Sequence, residues 1–205
     1  MYKLYSIPGT CSTGITCLLE KLEAKFEIIK REDVKNYSEL VPTNQVPALK
    51  DGELLITEGA AIVLYLLERH QNNMLTNEPE QRAKFQQYLM FNYATLHPAY
   101  SKLFAAKRNL AEGPDKTEFL DFLAASLSKY WQIIDNILAS QEYVATVEPS
   151  VIEYLLAVYT SWNKNFTDLN IELGVNVTRL VEQVIELPEF KQAYHKEGIK
   201  FNKTF

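Results

Sequence analysis

Residues 44–62 read NQVPALKDGELLITEGAAI, and this stretch decides the fold. It holds a short apolar run, a turn signal, a second apolar run and the start of a helical pattern. Asp51-Gly52 is a strong hairpin signal, because glycine accepts a positive φ without steric cost. The apolar run after the turn is the partner strand, and Thr57 then opens a helix with apolar periodicity as far as Leu67. The stretch therefore predicts strand, two-residue turn, strand and helix.

Two features of this stretch have chemical content. Val46-Pro47 puts a proline at a strand start, where no ladder N–H is needed and where a cis bond is tolerated. Glu58 and Gly59 fall in a first helical turn, where free backbone N–H groups and the helix dipole favour an anion. A site for a peptide-like ligand needs such parts: exposed backbone, a carboxylate for an ammonium group, and bare N–H groups for a carboxylate.

The composition is that of a globular protein. The chain has 205 residues, of which 47% are hydrophobic and 23% charged, and its formal net charge is −5. We therefore expect neither nucleic acid nor an anionic membrane as a partner. No stretch approaches the ~20 apolar residues that span a bilayer, and the first residues do not resemble a signal peptide. The two cysteines suggest neither a disulfide framework nor a metal site, so we expect a cytoplasmic protein without metal.

The first third of the chain alternates strands and helices. Residues 3–7 predict a strand that ends at Pro8, and a helix follows from Cys11. Residues 26–30 predict a second strand, parallel to the first if the helix is a crossover, and residues 37–40 predict a short helix. With the hairpin and its following helix, the order is βαβαββα. This is the order of the thioredoxin-like fold.

The remainder of the chain predicts helices alone. Residues 71–79 are polar and are interpreted as a linker, so we expect one domain over 1–77 and a second over 78–205. The second domain has helical patterns over 80–107, 116–140, 151–162, 177–186 and 188–196. Pro98 should kink the first of these, because proline removes a backbone hydrogen bond and clashes with the preceding turn. Ser150 and Glu153 fit a capping box.

Cys11 is the leading candidate for chemistry. It lies at a helix N-terminus, where partial positive charge should lower the pKa of a thiol. Gly14 occupies the place of a resolving thiol, so a disulfide cycle would need a second thiol from outside. The alternative is a buried cysteine that fills space, which is our interpretation of Cys17.

These motifs resemble those of the glutathione transferases along nearly the whole chain. The resemblance rests on the QVPAL turn, the Glu58-Gly59 pair, a strand followed by PGTCS and a helix, and the cap at Ser150. It implies a thioredoxin-like α/β N-terminal domain, which binds glutathione, and an all-α C-terminal domain, which carries the electrophile pocket. The Cys11-Ser12 pair is similar to that of the bacterial beta class.

The resemblance also implies roles for individual residues. Ser12 would donate a hydrogen bond to a glutathione thiolate, or would serve only as the helix N-cap. His97 would face Cys11 across the cleft, or would be a structural interdomain histidine. Trp162 would line the electrophile pocket, or would pack in the core. The implied glutathione-binding residues are Lys35 (alternatively a solvated loop lysine), Gln45, Val46, Pro47, Glu58 and Gly59.

Three functions remain open from the sequence. The first is a glutathione transferase that conjugates glutathione, its cosubstrate, to small hydrophobic electrophiles. The second is a glutathione-dependent thiol-disulfide reductase or peroxidase. The third is a non-catalytic binding scaffold. The resemblance further implies a homodimer.

Overall fold

A four-stranded mixed sheet forms the N-terminal part of the molecule, for which a computed structural model describes residues 1–201. Its strands are β1 (Tyr2–Ser6), β2 (Phe26–Lys30), β3 (Ala48–Asp51) and β4 (Leu54–Thr57). They lie in the order β2-β1-β3-β4, and only the β1–β2 pair is parallel. The associated helices are α1 (Cys11–Lys21), α2 (Tyr37–Leu40) and α3 (Gly59–Arg69), with a 3-10 turn at Arg31–Asp33. The predicted thioredoxin-like order of elements is confirmed.

The hairpin differs from its prediction by one residue. Asp51 pairs with Leu54, so it is the last residue of β3, and the two-residue loop is Gly52-Glu53. Gly52 has a φ of +57°, the left-handed conformation that glycine adopts without steric cost. Helix α3 begins two residues after β4.

The rest of the described chain is helical. Its elements are α4 (Pro79–Met90), a π-helical segment (Phe91–Leu96), α5 (His97–Asn109), α6 (Pro114–Leu138), α7 (Val151–Thr160), a 3-10 segment (Ser161–Asn165), α8 (Val175–Val184) and α9 (Pro188–Glu197). Within residues 1–201, no helix is both long enough and apolar enough to cross a membrane.

The disruption expected at Pro98 takes the form of the π-helical segment. The His97 N–H donates to the Asn92 carbonyl, five residues back, where an α-helix would use the fourth. Pro98 follows as the second residue of α5, and because proline has no N–H it cannot donate a hydrogen bond to the preceding turn. A π segment adds a residue to the helical turn. It therefore changes the direction in which Tyr93, within the segment, faces.

Helix α7 lies at the centre of the helical part. Every residue from Val151 to Thr160 is buried. The capping box is confirmed: Ser150 Oγ accepts from the Ile152 N–H at 3.2 Å, and Glu153 Oε2 accepts from the Ser150 N–H at 2.8 Å. Helix α1 packs against both α7 and α9, and these contacts join the sheet region to the helices.

Candidate functional site

A cleft of about 580 Å³ lies between the sheet region and the start of α5. Four chain segments and one arginine line it. They are the β1–α1 turn (Ile7, Thr10, Cys11), the loop before β3 (Thr43, Asn44, Gln45, Val46, Pro47), the start of α3 (Thr57, Glu58, Gly59), the π–α5 region (Tyr93, His97, Pro98, Ser101) and Arg31. Residues 44–62 thus provide two of the four segments.

Exposed backbone borders the cleft at the loop before β3. The Val46-Pro47 peptide bond is cis. Gln45 is exposed, Val46 is half-buried and Pro47 is buried. The Tyr37 hydroxyl donates to the Gln45 carbonyl at 3.0 Å and fixes the loop from behind. The predicted residues 45–47 therefore lie together on one wall.

Cys11 is the first residue of α1, and its thiol faces this wall. Its Sγ donates to the Val46 carbonyl at 3.7 Å, and the residue is 5% exposed. Burial raises the pKa of the Cys11 thiol to about 12, although the backbone N–H groups of Cys11 and Ser12 lower it; the charge of Glu58 raises it further. The lowered pKa expected from the helix N-terminus is therefore wrong. Loss of solvation outweighs the hydrogen bonds that the backbone offers a thiolate.

Ser12 faces away from the cleft. It is completely buried, and its Oγ hydrogen-bonds with Ser6 Oγ at 2.7 Å and Thr10 Oγ1 at 2.8 Å and donates to the Ile7 carbonyl at 3.1 Å. The N-cap of α1 is Thr10, whose Oγ1 accepts from the Ser12 N–H. The N-cap role considered for Ser12 is therefore wrong, and donation from its hydroxyl to a glutathione thiolate stays a prediction. In this structure the Ser12 side chain bonds within the turn. It holds the turn together from beneath, and Thr10 caps the helix.

The acidic pair lines the same cleft at the start of α3. Glu58 is exposed, with a φ of +67°, and its carboxylate makes no capping bond to α3. Gly59 is buried, and any side-chain carbon there would overlap the ring of Tyr93. The first turn of α3 has N–H groups without partners one helical turn back. An exposed carboxylate and a helix N-terminus are therefore adjacent.

His97 enters from the helical part and is supported by aromatic rings. Burial lowers the pKa of its imidazole, so the ring is neutral at pH 7. Its ring centroid lies 5.6 Å from that of Trp162 and 5.8 Å from that of Tyr159. Trp162 is 9% exposed and is not part of the cleft lining; its Nε1 donates to the Gly9 carbonyl at 2.7 Å. Trp162 as an electrophile contact stays a prediction, while in this structure its ring contacts His97 and its Nε1–H holds the β1–α1 turn.

Lys35 is exposed and does not line the cleft, but Arg31 does. The Arg31 Nε donates to the Asn44 carbonyl at 3.1 Å, which holds the guanidinium beside the loop before β3. The position of Arg31 directly after β2 could have identified it from the sequence, because ligands of such folds lie beyond the carboxyl ends of parallel strands. Tyr93 was also missed, since no local pattern marks it.

A buried carboxylate from the last helix holds the Cys11 turn. Glu197 accepts from Thr13 Oγ1 and Thr16 Oγ1, each at 2.7 Å, and from the Gly9 N–H at 3.2 Å. Burial raises the pKa of this carboxyl, while the three hydrogen bonds lower it. Across residues 1–201, no cluster of histidine, cysteine, aspartate and glutamate is arranged to hold a metal ion.

Comparisons with known proteins connect this fold and cleft with the glutathione transferases. Residues 1–68 match the family model described as the glutathione S-transferase N-terminal domain. The chain is 25% identical over 209 residues to the glutathione S-transferase GstA of Escherichia coli O157:H7, covering 97% of this chain and 100% of that protein. It is 27% identical over 185 residues to glutathione S-transferase D6 of Drosophila melanogaster, covering 86% and 83%.

Solved structures share the fold over the whole chain. A glutathione S-transferase from Xylella fastidiosa superposes with a TM-score of 0.87 at 24% identity, covering 98% of this chain and 100% of that one. A beta-class enzyme from Sphingomonas chungbukensis gives 0.82 at 22% identity, covering 97% and 100%. A sphingomonad glutathione S-transferase solved with glutathione gives 0.81 at 24% identity, covering 97% and 100%. The N-terminal third of the chain thus matches the glutathione S-transferase family model, and the two curated relatives named here are glutathione S-transferases.

Proposed function

We propose that the protein conjugates glutathione to small hydrophobic electrophiles. One observation carries the proposal: Cys11, the Val46 backbone, Glu58 and the start of α3 line a single cleft with His97 opposite. Residues 1–77 would bind glutathione, and residues 78–205 would complete the side that receives the electrophile. The relative solved with glutathione supports the choice of cosubstrate.

The cleft offers a separate group for each part of the tripeptide. The cysteinyl backbone pairs with Val46, and Gln45 and Pro47 shape the wall beside it. Glu58 binds the γ-glutamyl ammonium group, and the Gly59 N–H with the α3 dipole binds the γ-glutamyl carboxylate. Arg31, which lines the cleft where Lys35 does not, binds the glycyl carboxylate.

His97 and Cys11 then divide the work at the sulfur. Neutral His97 takes the proton of glutathione's thiol, and Cys11, protonated at neutral pH, donates its S–H to the sulfur anion that results. The N–H groups at the start of α1 add to this stabilisation. The sulfur electron pair forms the bond to the electrophilic carbon, and the leaving group departs with its bonding electrons.

The thiol-disulfide alternative is less well supported. In that reaction Cys11 itself must attack as a thiolate. Burial raises the pKa of its thiol to about 12, so the attacking form is scarce at neutral pH. Conjugation has no such requirement, because glutathione provides the nucleophile. A scaffold without catalysis would need neither a buried thiol nor a neutral imidazole facing the same cleft.

Binding tests the proposal most directly. Calorimetry should show that Glu58→Gln weakens glutathione binding by roughly 10- to 150-fold, the loss of a charged hydrogen bond. Glu53→Gln is the matched control, because Glu53 is an exposed glutamate in the hairpin loop outside the cleft. Unchanged affinity in the Glu58 variant, or equal losses in both variants, would contradict the assignment.

A further inference from the structure

Tyr93 lines the cleft, and its hydroxyl has no hydrogen-bond partner among the described residues. It lies in the π-helical segment Phe91–Leu96 and lines the cleft with Cys11 and Gly59. Its hydroxyl oxygen is buried and has no hydrogen-bond partner within residues 1–201. An unsatisfied buried hydroxyl is destabilising, so such groups are rare and call for an explanation.

The Tyr93 ring occupies the space that a side chain on Gly59 would need. A side-chain carbon on Gly59 would overlap Cε1, Cζ and the hydroxyl oxygen of Tyr93. Gly59 does not have a positive φ, so the backbone conformation does not require glycine there. Glycine is required there because the Tyr93 ring approaches so closely. The Tyr93 hydroxyl is thereby fixed against the first residue of α3.

The hydroxyl and the helix start suit the same kind of ligand. The first turn of α3 directs backbone N–H groups outward, and its dipole favours negative charge. Burial raises the pKa of Tyr93 well above its ordinary value, so the phenol stays protonated and can donate. Glu58, the preceding residue, provides an exposed negative charge beside them. A ligand with an ammonium group next to a carboxylate matches all three.

We propose that the Tyr93 hydroxyl donates a hydrogen bond to the γ-glutamyl carboxylate of glutathione at the start of α3. The inference rests on the proposed function and adds to it a residue from the helical part of the chain. Tyr93 is thus a specificity residue: it selects ligands that bear a carboxylate on the carbon that carries the amine. The π-helical segment is what directs the hydroxyl to this point.

The test pairs two variants with two peptides. Tyr93→Phe removes the hydroxyl alone. Tyr194→Phe is the matched control, because its hydroxyl is also buried and without a partner in the described residues but lies outside the cleft lining. The peptides are glutathione and its analogue 4-aminobutanoyl-cysteinyl-glycine, which lacks only the γ-glutamyl carboxylate. Affinities are measured by calorimetry.

We expect Tyr93→Phe to weaken glutathione binding by roughly 10- to 150-fold, as for a hydrogen bond to a charged group. Its affinity for the analogue should change less than about twofold, because the analogue has lost the same interaction. Tyr194→Phe should leave both affinities unchanged. The melting temperature of Tyr93→Phe should not fall, since the substitution removes an unsatisfied polar group.

Three results would overturn the inference. Tyr93→Phe binding glutathione as well as the parent chain would show that the hydroxyl makes no contact with it. Equal losses for glutathione and the analogue would assign the hydroxyl to another atom, such as the sulfur. A parent chain that is folded and binds no glutathione would overturn the proposed function itself, a result distinct from the other two because the Tyr93 variant plays no part in it.

Discussion

The local sequence and the folded structure give opposite expectations for the pKa of the Cys11 thiol. Burial moves the pKa of this thiol from its ordinary value of 9.0 to about 12. Since each unit of pKa is a factor of ten in the ratio of the two forms, the thiolate fraction at neutral pH falls about a thousandfold relative to a free thiol. Alkylation by iodoacetamide measures that fraction, because only the thiolate reacts.

The assay follows the rate of Cys11 alkylation between pH 6 and 10, resolved by peptide mass spectrometry, in a Cys17→Ala background. We expect the logarithm of the rate to rise with pH at unit slope without a plateau. Limited access to the 5% exposed residue lowers every rate alike and leaves the slope unchanged. Free glutathione is the control and should level off near its own pKa.

A plateau below pH 8 would refute the reasoning and would show that the N-terminal field of α1 outweighs desolvation. The same shift has a consequence for stability. The folded-state pKa of Cys11 is raised, so its contribution to the free energy of unfolding is fully present below about pH 9 and is lost as the pH rises towards 12.

Two further predictions follow from the cleft and the surface. Cys11→Ala should abolish any reduction of glutathione mixed disulfides, yet lower conjugation to a chloronitrobenzene-type electrophile by no more than roughly 10- to 150-fold, the loss of one hydrogen bond to the sulfur anion. Measurement of both reactions on one preparation decides this, and joint loss to background with unchanged glutathione affinity would make Cys11 the sole catalytic centre. We also expect a homodimer, since Phe119 and Phe122 on α6 are 46% and 63% exposed and stack at 6.4 Å. Light scattering at micromolar concentration should give about twice 23.6 kDa, and a monomeric mass would refute it.

What the sequence predicted well was local. The order of strands and helices follows from periodicity and turn residues, which act over a few positions. The capping box of Ser150 and Glu153 is also a local feature, because its bonds join residues that are at most three positions apart. The adjacency of Glu58 to a helix start is also a property of neighbouring residues.

What the sequence did not predict depends on contacts between distant segments. A helix N-terminus predicts a lowered thiol pKa, but the burial of Cys11 arises from elements that pack over it. Ser12 has the right chemistry for the cleft, and only the buried side chain of Ser6 beside it shows that it faces the other way. The sequence marked Trp162 for the site and did not mark Tyr93, although Tyr93 lines the cleft and Trp162 does not. The residues adjacent to each of them in the sequence do not indicate which side chains it contacts in the folded protein.

The anchoring of the Cys11 turn also bears on the order in which the protein is made. Gly9 is held through its carbonyl by Trp162 and through its N–H by Glu197, residues 153 and 188 positions later. A ribosome releases the turn first and these partners last. Throughout most of synthesis, Thr13 and Thr16 must therefore find water where the finished protein offers Glu197. The cleft can reach its final shape only when the closing helix has emerged, so a stalled or shortened chain would hold its cysteine in a turn that has not yet been set.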